Sequence, residues 1–429
     1  MTLFRTSALN GVAVSIRMAT SLVLNKVLAI YVGPAGYAVM GQFQNALAMA
    51  VTFATGATGN GVVKLTAEYA RDEQRQRRLW RTAGTLIALA SLAGAFAILL
   101  LRRNLAVLFL HDAALSGVFV WLALCLPLIA FNALLLSIMS GRKDIRRFVY
   151  SNIAGSFVSL LLTGALAWRF GLYGALVALS VNQGVLLVLT LQQAVRTEWF
   201  DCGMMVGRID PVETRRLGGF VVMALTTAVV SPVSQILVRN TVIVNFGMNY
   251  AGYWDAMWRI STLYLTLVTT TLTLYYLPRI AEIDNWPDMK SELKQVFKYV
   301  VPFVVIMSSA IYLLRDVIIT ILFARDFLSM RVLFGWQMAG DVAKISAWLL
   351  AFLMIGRGLT KSYVATEIAS GLIFWVGTLV LTKLFGFRGV AMAHFVNYVI
   401  YAGLVALLTI ATPGRRAALF GRGMAQVNA

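Results

Sequence analysis

The chain has 429 residues, of which 59% are hydrophobic and only 13% charged, whereas soluble domains are about 45–50% apolar and about 25% charged. This composition excludes a soluble globular protein, because stretches of about 20 mostly apolar residues, each long enough to cross a bilayer, follow one another along the chain. The formal net charge of +19 does not indicate nucleic-acid binding, since the Lys and Arg residues lie between apolar runs and form no stripe on a soluble fold.

Taken in chain order, the hydropathy and the clusters of Gly, Pro and charge predict an all-α integral membrane protein with twelve transmembrane helices. The first six cover residues 7–31, 37–63, 82–101, 115–139, 148–168 and 173–195. The second six cover residues 217–244, 253–277, 297–314, 332–355, 363–384 and 390–410. The expected parts are an N-terminal six-helix lobe at 1–200, a cytoplasmic inter-lobe loop at 201–213, a C-terminal six-helix lobe at 214–412 and a basic cytoplasmic tail at 413–429.

The charged loops and an internal repeat predict how these helices are arranged. Loops on one side hold a clear excess of Lys and Arg, which places both termini in the cytoplasm. Shifting the second half back by 215 positions aligns Gly171 with Gly386 and Gly174 with Gly389, a constant offset across helices and loops. Because each half has six predicted spans, both halves enter the membrane from the same side. The sequence therefore predicts a parallel repeat of two six-helix bundles.

Charged residues inside the predicted spans each cost at least about 2.5 to 3.5 kcal/mol unless they face a cavity or a partner. The candidates among them are five cations and two anions: Arg17, Lys26, Arg239, Arg259, Lys344, Asp255 and Asp341. Asp255 lies four residues before Arg259, and Asp341 lies three before Lys344, so each pair shares one helix face, either as an ion pair or as cavity residues. The other cations have no acid nearby in sequence. Snorkelling to the interface is an alternative for Lys26 and Arg239, but Arg17 lies in mid-membrane.

A surplus of cations inside the membrane predicts an anionic cargo, and the guanidinium fork suits phosphate oxygens in particular. The expected ligands of a pyrophosphate head group are Arg17, Lys26, Arg239 and Arg259. Polar and aromatic side chains of neighbouring helices are candidate sugar contacts, namely Gln42, Asn45, Trp254 and Trp258. The alternatives for these four are amides that join helices and aromatic rings at the membrane interface.

Catalytic and metal-binding signatures are not found. The sequence has no Walker loop, no HExxH and no GxSxG, and Cys125 and Cys202 do not suggest a disulfide framework or a metal site. We therefore expect a protein that is not an enzyme and has no metal and no organic cofactor. H⁺ or Na⁺ remains open as a coupling ion, with Asp255, Asp341 and the neighbouring Lys344 as candidates. His394 is expected to be a hydrogen-bonded structural residue.

Two stretches carry a family resemblance. One is the turn Val32-Gly33-Pro34-Ala35-Gly36-Tyr37, and the other runs from Leu314-Arg315-Asp316 to Gly340-Asp341-Val342-Ala343-Lys344. Together with twelve spans in two halves, they resemble the Wzx polysaccharide flippases. Within that family the chain is most similar to the branch that translocates lipid III, the undecaprenyl-pyrophosphate trisaccharide of enterobacterial common antigen. The resemblance covers nearly the whole chain, but its motifs are mostly helix-turn residues with little chemistry.

This resemblance implies the MATE-like fold of the MOP exporters, in which two bundles surround a cavity that opens alternately to the cytoplasm and the periplasm. It also implies a flippase that moves an undecaprenyl-pyrophosphate-linked oligosaccharide, lipid III or an O-antigen-type repeat unit, to the periplasmic leaflet of the bacterial inner membrane. Related lipid flippases place arginines of the first and eighth helices in that cavity, which are Arg17 and Arg259 here. The implied partners are membrane lipids and the polymerase and chain-length regulator of the same pathway, with no nucleic acid and a monomeric flippase.

Three alternative functions remain to be weighed. A drug or cation antiporter of the same fold needs an acidic or apolar cavity, and the cationic surplus argues against it. A lipid II flippase usually carries helices beyond twelve. A membrane enzyme such as a glycan polymerase is expected to have a long periplasmic loop with catalytic charges, and no predicted outer loop reaches that size.

Overall fold

The computed structural model describes residues 3–411, except 57, 143, 202, 204, 284 and 358. These residues form α-helices with short 3₁₀ and π-helical turns, and they include no strand. The chain divides into two compact units, Met1–Pro232 and Val233–Ala429, with the boundary inside a helix. The lobe limits of 1–200 and 214–412 remain predictions, and the predicted basic tail at 413–429 lies outside the described residues.

The first unit contains six helices and the beginning of a seventh. They are α1 (Leu3–Tyr31), α2 (Gly33–Thr55), α3 (Gly59–Glu68), α4 (Glu73–Leu105), α5 (Ser116–Gly141), α6 (Ile145–Val195) and the first part of α7 (Pro211–Phe246). The carboxylates of Asp72 and Asp144 cap the starts of α4 and α6 by accepting a backbone N–H bond from the residue three positions later. The buried stripe of α5, spaced four residues apart, packs against α4 and consists of Leu126, Ala130, Leu134 and Ile138.

The second unit contains the end of α7 and seven further helices. They are α8 (Met248–Thr271), α9 (Leu277–Glu282), α10 (Trp286–Leu313), α11 (Arg315–Leu322), α12 (Phe334–Gly356), α13 (Thr360–Phe385) and α14 (Gly389–Ala406). Asn285 caps α10 by accepting the backbone N–H of Asp288 at 2.9 Å. Helix α12 packs against both α10 and α14, and it buries two polar side chains, Gln337 and Asp341, at 0% exposure. The polar residues of α12 are therefore part of the interior of this unit.

Seven segments of the described chain are long and apolar enough to cross a membrane, or eight if the bent pair of α2 and α3 is one span. This result confirms an all-α, multi-pass architecture, but not the predicted count of twelve spans. Two of the segments, Val149–Val195 and Thr360–Thr409, are 47 and 50 residues long. Each is more than twice the length of about 20 residues that one span requires.

A glycine breaks the helical backbone within each of these two long segments. Gly171 in α6 has φ 56° and ψ −134°, and Gly386 after α13 has φ 64° and ψ −151°, conformations that favour glycine. Three residues later in each case, a Cβ added to Gly174 or Gly389 would lie less than 3.0 Å from a backbone carbonyl oxygen eight residues earlier. The glycine pair Gly171 and Gly174 and the pair Gly386 and Gly389 are 215 residues apart and have the same local geometry, which favours the predicted internal repeat.

The loop that precedes α7 is held against α4 by hydrogen bonds. The Thr85 hydroxyl donates to the carbonyl oxygen of Gly207 at 2.9 Å and accepts the backbone N–H of the same residue at 2.9 Å. The backbone N–H of Asp210 donates to the Thr82 hydroxyl at 3.0 Å. The predicted inter-lobe loop is therefore fixed to the first unit, which agrees with a unit boundary that falls later, at Pro232.

Candidate functional site

Buried charge in the second unit is concentrated on α7 and α8. Arg239 Nη2 lies 2.5 Å from Asp255 Oδ1, and Arg259 Nε lies 3.3 Å from Asp255 Oδ2. The side chains of Arg239 and Asp255 are 1% and 6% exposed, and that of Arg259 is 18% exposed. Arg239, which has no acid nearby in sequence, receives its acidic partner from the next helix. Two guanidinium groups share one carboxylate, so this arginine cluster, Arg239, Asp255 and Arg259, contains more positive than negative charge.

The hairpin between α7 and α8 explains why these residues meet. Gly247, with φ 93°, is the single residue between the two helices. Arg239 lies eight residues before it and Asp255 eight residues after it. With a rise of about 1.5 Å per residue, both positions are about 12 Å from the turn and therefore at the same depth. Arg259 is one helical turn further along α8, on the face of Asp255.

A second buried carboxylate, Asp341 of α12, is surrounded by polar side chains. The Tyr264 hydroxyl donates to Asp341 Oδ2 at 2.9 Å, His394 Nε2 lies 3.0 Å from Oδ1, and Gln337 Nε2 donates to Oδ1 at 3.4 Å. Among the described ion pairs, Asp341 pairs with His394. It does not pair with Lys344, the partner that the ion-pair alternative had suggested. The reason is that α14 approaches α12 closely here, since His394 contacts the backbone of Gly340 and leaves no room for a Cβ there.

Lys344 lies among aromatic rings. Its Nζ atom is 4.9 Å from the ring centroids of Trp258 and Trp348 and 5.6 Å from that of Tyr398. The π faces attract the ammonium group electrostatically, by about 0.5–2 kcal/mol per ring. The lysine is therefore stabilised by cation–π contacts where the sequence suggested an ion pair.

The two predicted sugar-contacting tryptophans differ in exposure. Trp254 is fully buried, and the guanidinium carbon of Arg239 lies 5.4 Å from its ring centroid. Trp258 is half-buried and stacks on Phe374 at 6.2 Å with an interplanar angle of 20°. Of the two rings, only that of Trp258 has exposed surface that could meet a ligand.

The predicted site residues of the first unit do not form one cluster. Arg17 is exposed and lines a polar cavity of about 280 Å³ between α1, α5 and α6. The described lining of that cavity does not include Lys26, Gln42 or Asn45. Lys26 and Asn45 are half-buried, and Gln42 is 1% exposed. The structure therefore separates Arg17 from the two predicted sugar-contacting amides.

Sequence reasoning missed two polar groupings. Of the partners of Asp341, Gln337 lies four residues earlier on α12, a spacing that could have been noticed, whereas Tyr264 and His394 come from α8 and α14 and no sequence spacing connects them to it. The Ser, Thr and Asn residues around Arg17 were missed because short polar side chains carry little signal on their own. Their spacing along α6, with Asn152, Ser156 and Ser159 on one face, is the signal that could have found them. In the part of the chain that the structure describes, no group of three or more His, Cys, Asp or Glu residues could hold a metal ion.

Comparisons with known proteins give relatives and structural neighbours. No protein-family model matches the chain. Proteins named lipid III flippase from Escherichia coli (strain K12) and Shigella flexneri are each 27% identical to it over 405 residues, which make up 94% of this chain and 97% of theirs.

Two solved structures share the fold. An inward-facing multidrug resistance transporter of the MATE family, MOP superfamily, matches with a TM-score of 0.73 at 15% identity over 94% of both chains. The lipid II flippase MurJ in an inward closed conformation matches with a TM-score of 0.72 at 13% identity, over 97% of this chain and 90% of MurJ. The chain therefore has a MATE-like fold, and the resemblance to lipid III flippases and MOP transporters is confirmed. These relatives are flippases and transporters, so the prediction that the protein is not an enzyme is also confirmed.

Proposed function

We propose that this protein is a flippase that carries an undecaprenyl-pyrophosphate-linked oligosaccharide from the cytoplasmic to the periplasmic leaflet of the bacterial inner membrane by alternating access. The similarity to lipid III flippases over almost the whole chain supports this function. The structural observation that carries the proposal is the arginine cluster, in which two guanidinium groups share one carboxylate inside apolar helices. An excess of buried positive charge is costly in a membrane, and an anionic cargo offsets that cost.

The members of the arginine cluster are proposed to have different roles. Arg239 is the most buried and holds Asp255 at the shorter distance, so it compensates the carboxylate and fixes its position. Arg259 is more exposed and holds the same carboxylate at the longer distance of 3.3 Å. It can exchange part of that contact for a phosphate oxygen, which accepts charge-assisted hydrogen bonds from a guanidinium fork. Arg17 and Lys26 stay further proposed ligands of a phosphate group.

For the sugar contacts, Trp258 is the aromatic candidate, because part of its ring is exposed next to Lys344. An aromatic face with a polar neighbour suits the apolar face and hydroxyl rim of a pyranose ring. We assign Trp254 to packing beneath Arg239. Gln42 and Asn45 remain amide candidates for the glycan.

We further propose that the chain crosses the membrane twelve times with both termini in the cytoplasm. This count follows if the segments Val149–Val195 and Thr360–Thr409 each contain two spans divided at their glycine breaks, and if α1, the pair of α2 and α3, and α8 each cross once. Cysteines introduced into the turns at Gly171 and Gly386 should then be labelled by a membrane-impermeant maleimide from the periplasm.

Ion coupling is proposed at Asp341. Its described hydrogen-bond partners are a tyrosine, a histidine and an amide, so a proton can be gained or lost there without breaking a contact to an arginine or lysine. Asp255, in contrast, is held by two arginines. Transport in everted vesicles should slow when the proton gradient is collapsed, and Asp341→Asn should remove that sensitivity. If a sodium gradient alone drives transport, the ion is Na⁺.

The test of the function is complementation of a strain that lacks its lipid III flippase, with all variants at matched membrane expression. Wild type should restore the glycan, and Arg17→Ala and Arg259→Ala should lower its amount at least tenfold, since a charge-assisted hydrogen bond contributes about 1.5–3 kcal/mol. Arg325→Ala, an exposed arginine outside both sites, is the matched control and should behave as wild type.

The outcomes of this test separate the competing functions. Failure of wild type to restore the glycan, combined with rescue of a strain depleted of its lipid II flippase, would favour the lipid II alternative. Resistance to cationic drugs without glycan rescue would favour an antiporter. Full activity of both arginine variants would show that these side chains do not bind the cargo.

A further inference from the structure

The polar cavity of the first unit has a composition unlike the rest of this apolar protein. Three elements line it: α1, α5 and the two halves of α6 on either side of Gly171. Its polar side chains come from regular helical spacings, so each helix turns one polar face toward the same space. They are Arg17, Thr20, Ser21, Asn132, Ser151, Asn152, Ser156, Ser159, Asn182 and Thr190.

Several of these polar groups have hydrogen-bonding capacity left over. Asn132 Oδ1, Ser151 Oγ and Asn182 Oδ1 are buried and have no hydrogen-bond partner in the part of the chain that the structure describes. Asn182 uses its amide nitrogen to donate to Ser159 Oγ at 2.5 Å, which leaves its oxygen free to accept. A buried polar group without a partner costs about 1–3 kcal/mol. An occupant that offers hydrogen-bond donors would give these three groups partners.

The chemistry of the lining restricts what this occupant can be. The unpartnered amide oxygens need donors, and the unpartnered hydroxyl can donate or accept, so the occupant must offer donors and can also offer acceptors. A cation is disfavoured, because none of the described lining residues is Asp or Glu and Arg17 adds a positive charge. A volume of about 280 Å³ corresponds to roughly nine water molecules at about 30 Å³ each, which leaves room for one hydroxylated ring.

We infer that this cavity binds one glycosyl residue of the lipid-linked oligosaccharide, with Arg17 beside it facing the phosphate. The inference rests on the proposed function and deepens it by locating a sugar subsite within the first unit. A sugar ring carries hydroxyl groups that both donate and accept, which matches the unpartnered oxygens of Asn132, Ser151 and Asn182. This inference assigns the glycan contacts to short polar side chains of the first unit, at positions different from the aromatic and amide residues predicted from the sequence.

The test compares two lipids that differ only in the sugar. Purified full-length protein in lipid nanodiscs is titrated with undecaprenyl pyrophosphate and with undecaprenyl pyrophosphate that carries a single N-acetylhexosamine, and the bound lipid is counted by native mass spectrometry. The informative pair of variants is Ser151→Ala and Ser180→Ala. Both serines lie on α6 and have a buried hydroxyl without a described partner, but only Ser151 lines the cavity. Asn182→Leu, which fills the cavity, is the second variant, and thermal unfolding confirms that each variant is folded.

The expected result is that Ser151→Ala weakens binding of the glycosylated lipid about three- to tenfold, the effect of one neutral hydrogen bond. Asn182→Leu should weaken it further, and Ser180→Ala should have no effect. None of the three should change binding of the lipid without sugar. Equal losses for both lipids, or unchanged binding in Ser151→Ala and Asn182→Leu, would mean that the cavity holds only water and would overturn the inference, while the flippase function stands. If wild type binds neither lipid better than phosphatidylglycerol, the proposed function fails, and the inference fails with it.

Discussion

Replacing Asp255 by Asn tests whether the arginine cluster is the charged core of the second unit. At an effective dielectric constant of about 20, unit charges separated by the observed 2.5 Å and 3.3 Å attract by about 7 and about 5 kcal/mol. The cost of removing the charges from water and the repulsion between the two guanidinium groups offset much of this attraction. Breaking a buried pair by removing one partner typically costs about 3–5 kcal/mol, so we expect Asp255→Asn to lower the free energy of unfolding by that amount.

The measurement is the free energy of unfolding of the purified protein, obtained by SDS titration in mixed micelles and followed by tryptophan fluorescence. Asp316→Asn is the matched control, because Asp316 pairs with Arg331 at 3.1 Å but both side chains are about half exposed. Its expected cost is about 0–1 kcal/mol. Combining Asp255→Asn with Arg239→Gln should recover part of the loss, since the more buried guanidinium is then removed together with its carboxylate and only the more exposed Arg259 stays charged. Equal losses for Asp255→Asn and Asp316→Asn, or additive losses in the double variant, would refute this account.

Three further predictions concern helix packing and the contacts of Glu213. Gly389→Ala should destabilise the protein by about 1–3 kcal/mol, because the added Cβ would clash with a carbonyl oxygen of α13. Gly403→Ala is the control: open space surrounds this glycine, so the change should be neutral or stabilising by up to about 1 kcal/mol. The measurement compares the thermal unfolding midpoints of the two variants. Glu213→Gln should cost about 1–3 kcal/mol, because the buried Glu213 carboxylate accepts the Tyr69 hydroxyl at 3.0 Å and pairs with Arg75 at 3.3 Å. Burial and the hydrogen bond to Glu213 raise the pKa of Tyr69 above its usual 10.0. The stability contributed by the protonated Tyr69 hydroxyl should therefore be present at neutral pH and be lost as the pH rises into strong alkali. The free energy of unfolding measured across that pH range checks this.

The membrane class could be predicted from the sequence because it follows from composition, and the cost of embedded charge singled out Arg239, Asp255 and Asp341, which the structure buries. The partner of Arg239 was missed, although its signal was present. Arg239 and Asp255 are equally distant from Gly247, so a hairpin at that glycine sets them at one depth. Comparing depth from the turn, in place of separation along the chain, would have found the pair.

The surroundings of Asp341 could not be predicted in the same way. His394 is 53 residues away on α14, and its approach depends on the missing side chain at Gly340. Such a contact follows from how three helices pack, which no local pattern encodes. The same reason explains Lys344, whose position three residues after Asp341 suggested an ion pair but whose ammonium group lies among rings supplied by other helices.

The carboxylates of Asp255 and Asp341 therefore differ in the roles that they can have in the proposed transport cycle. Asp255 holds two cations, so any anion that draws on Arg259 competes with it, and binding of the proposed cargo there would be coupled to the strength of a salt bridge. Asp341 is bound by Tyr264, Gln337 and His394, so a change in its protonation alters hydrogen bonds and leaves the arginine cluster intact. In the proposed cycle, an anionic lipid binds and an ion resets the transporter, and two separate carboxylates suit these two steps. Protonation of Asp255 would free Arg259 and strengthen its hold on the cargo, whereas protonation of Asp341 leaves the arginine cluster unchanged.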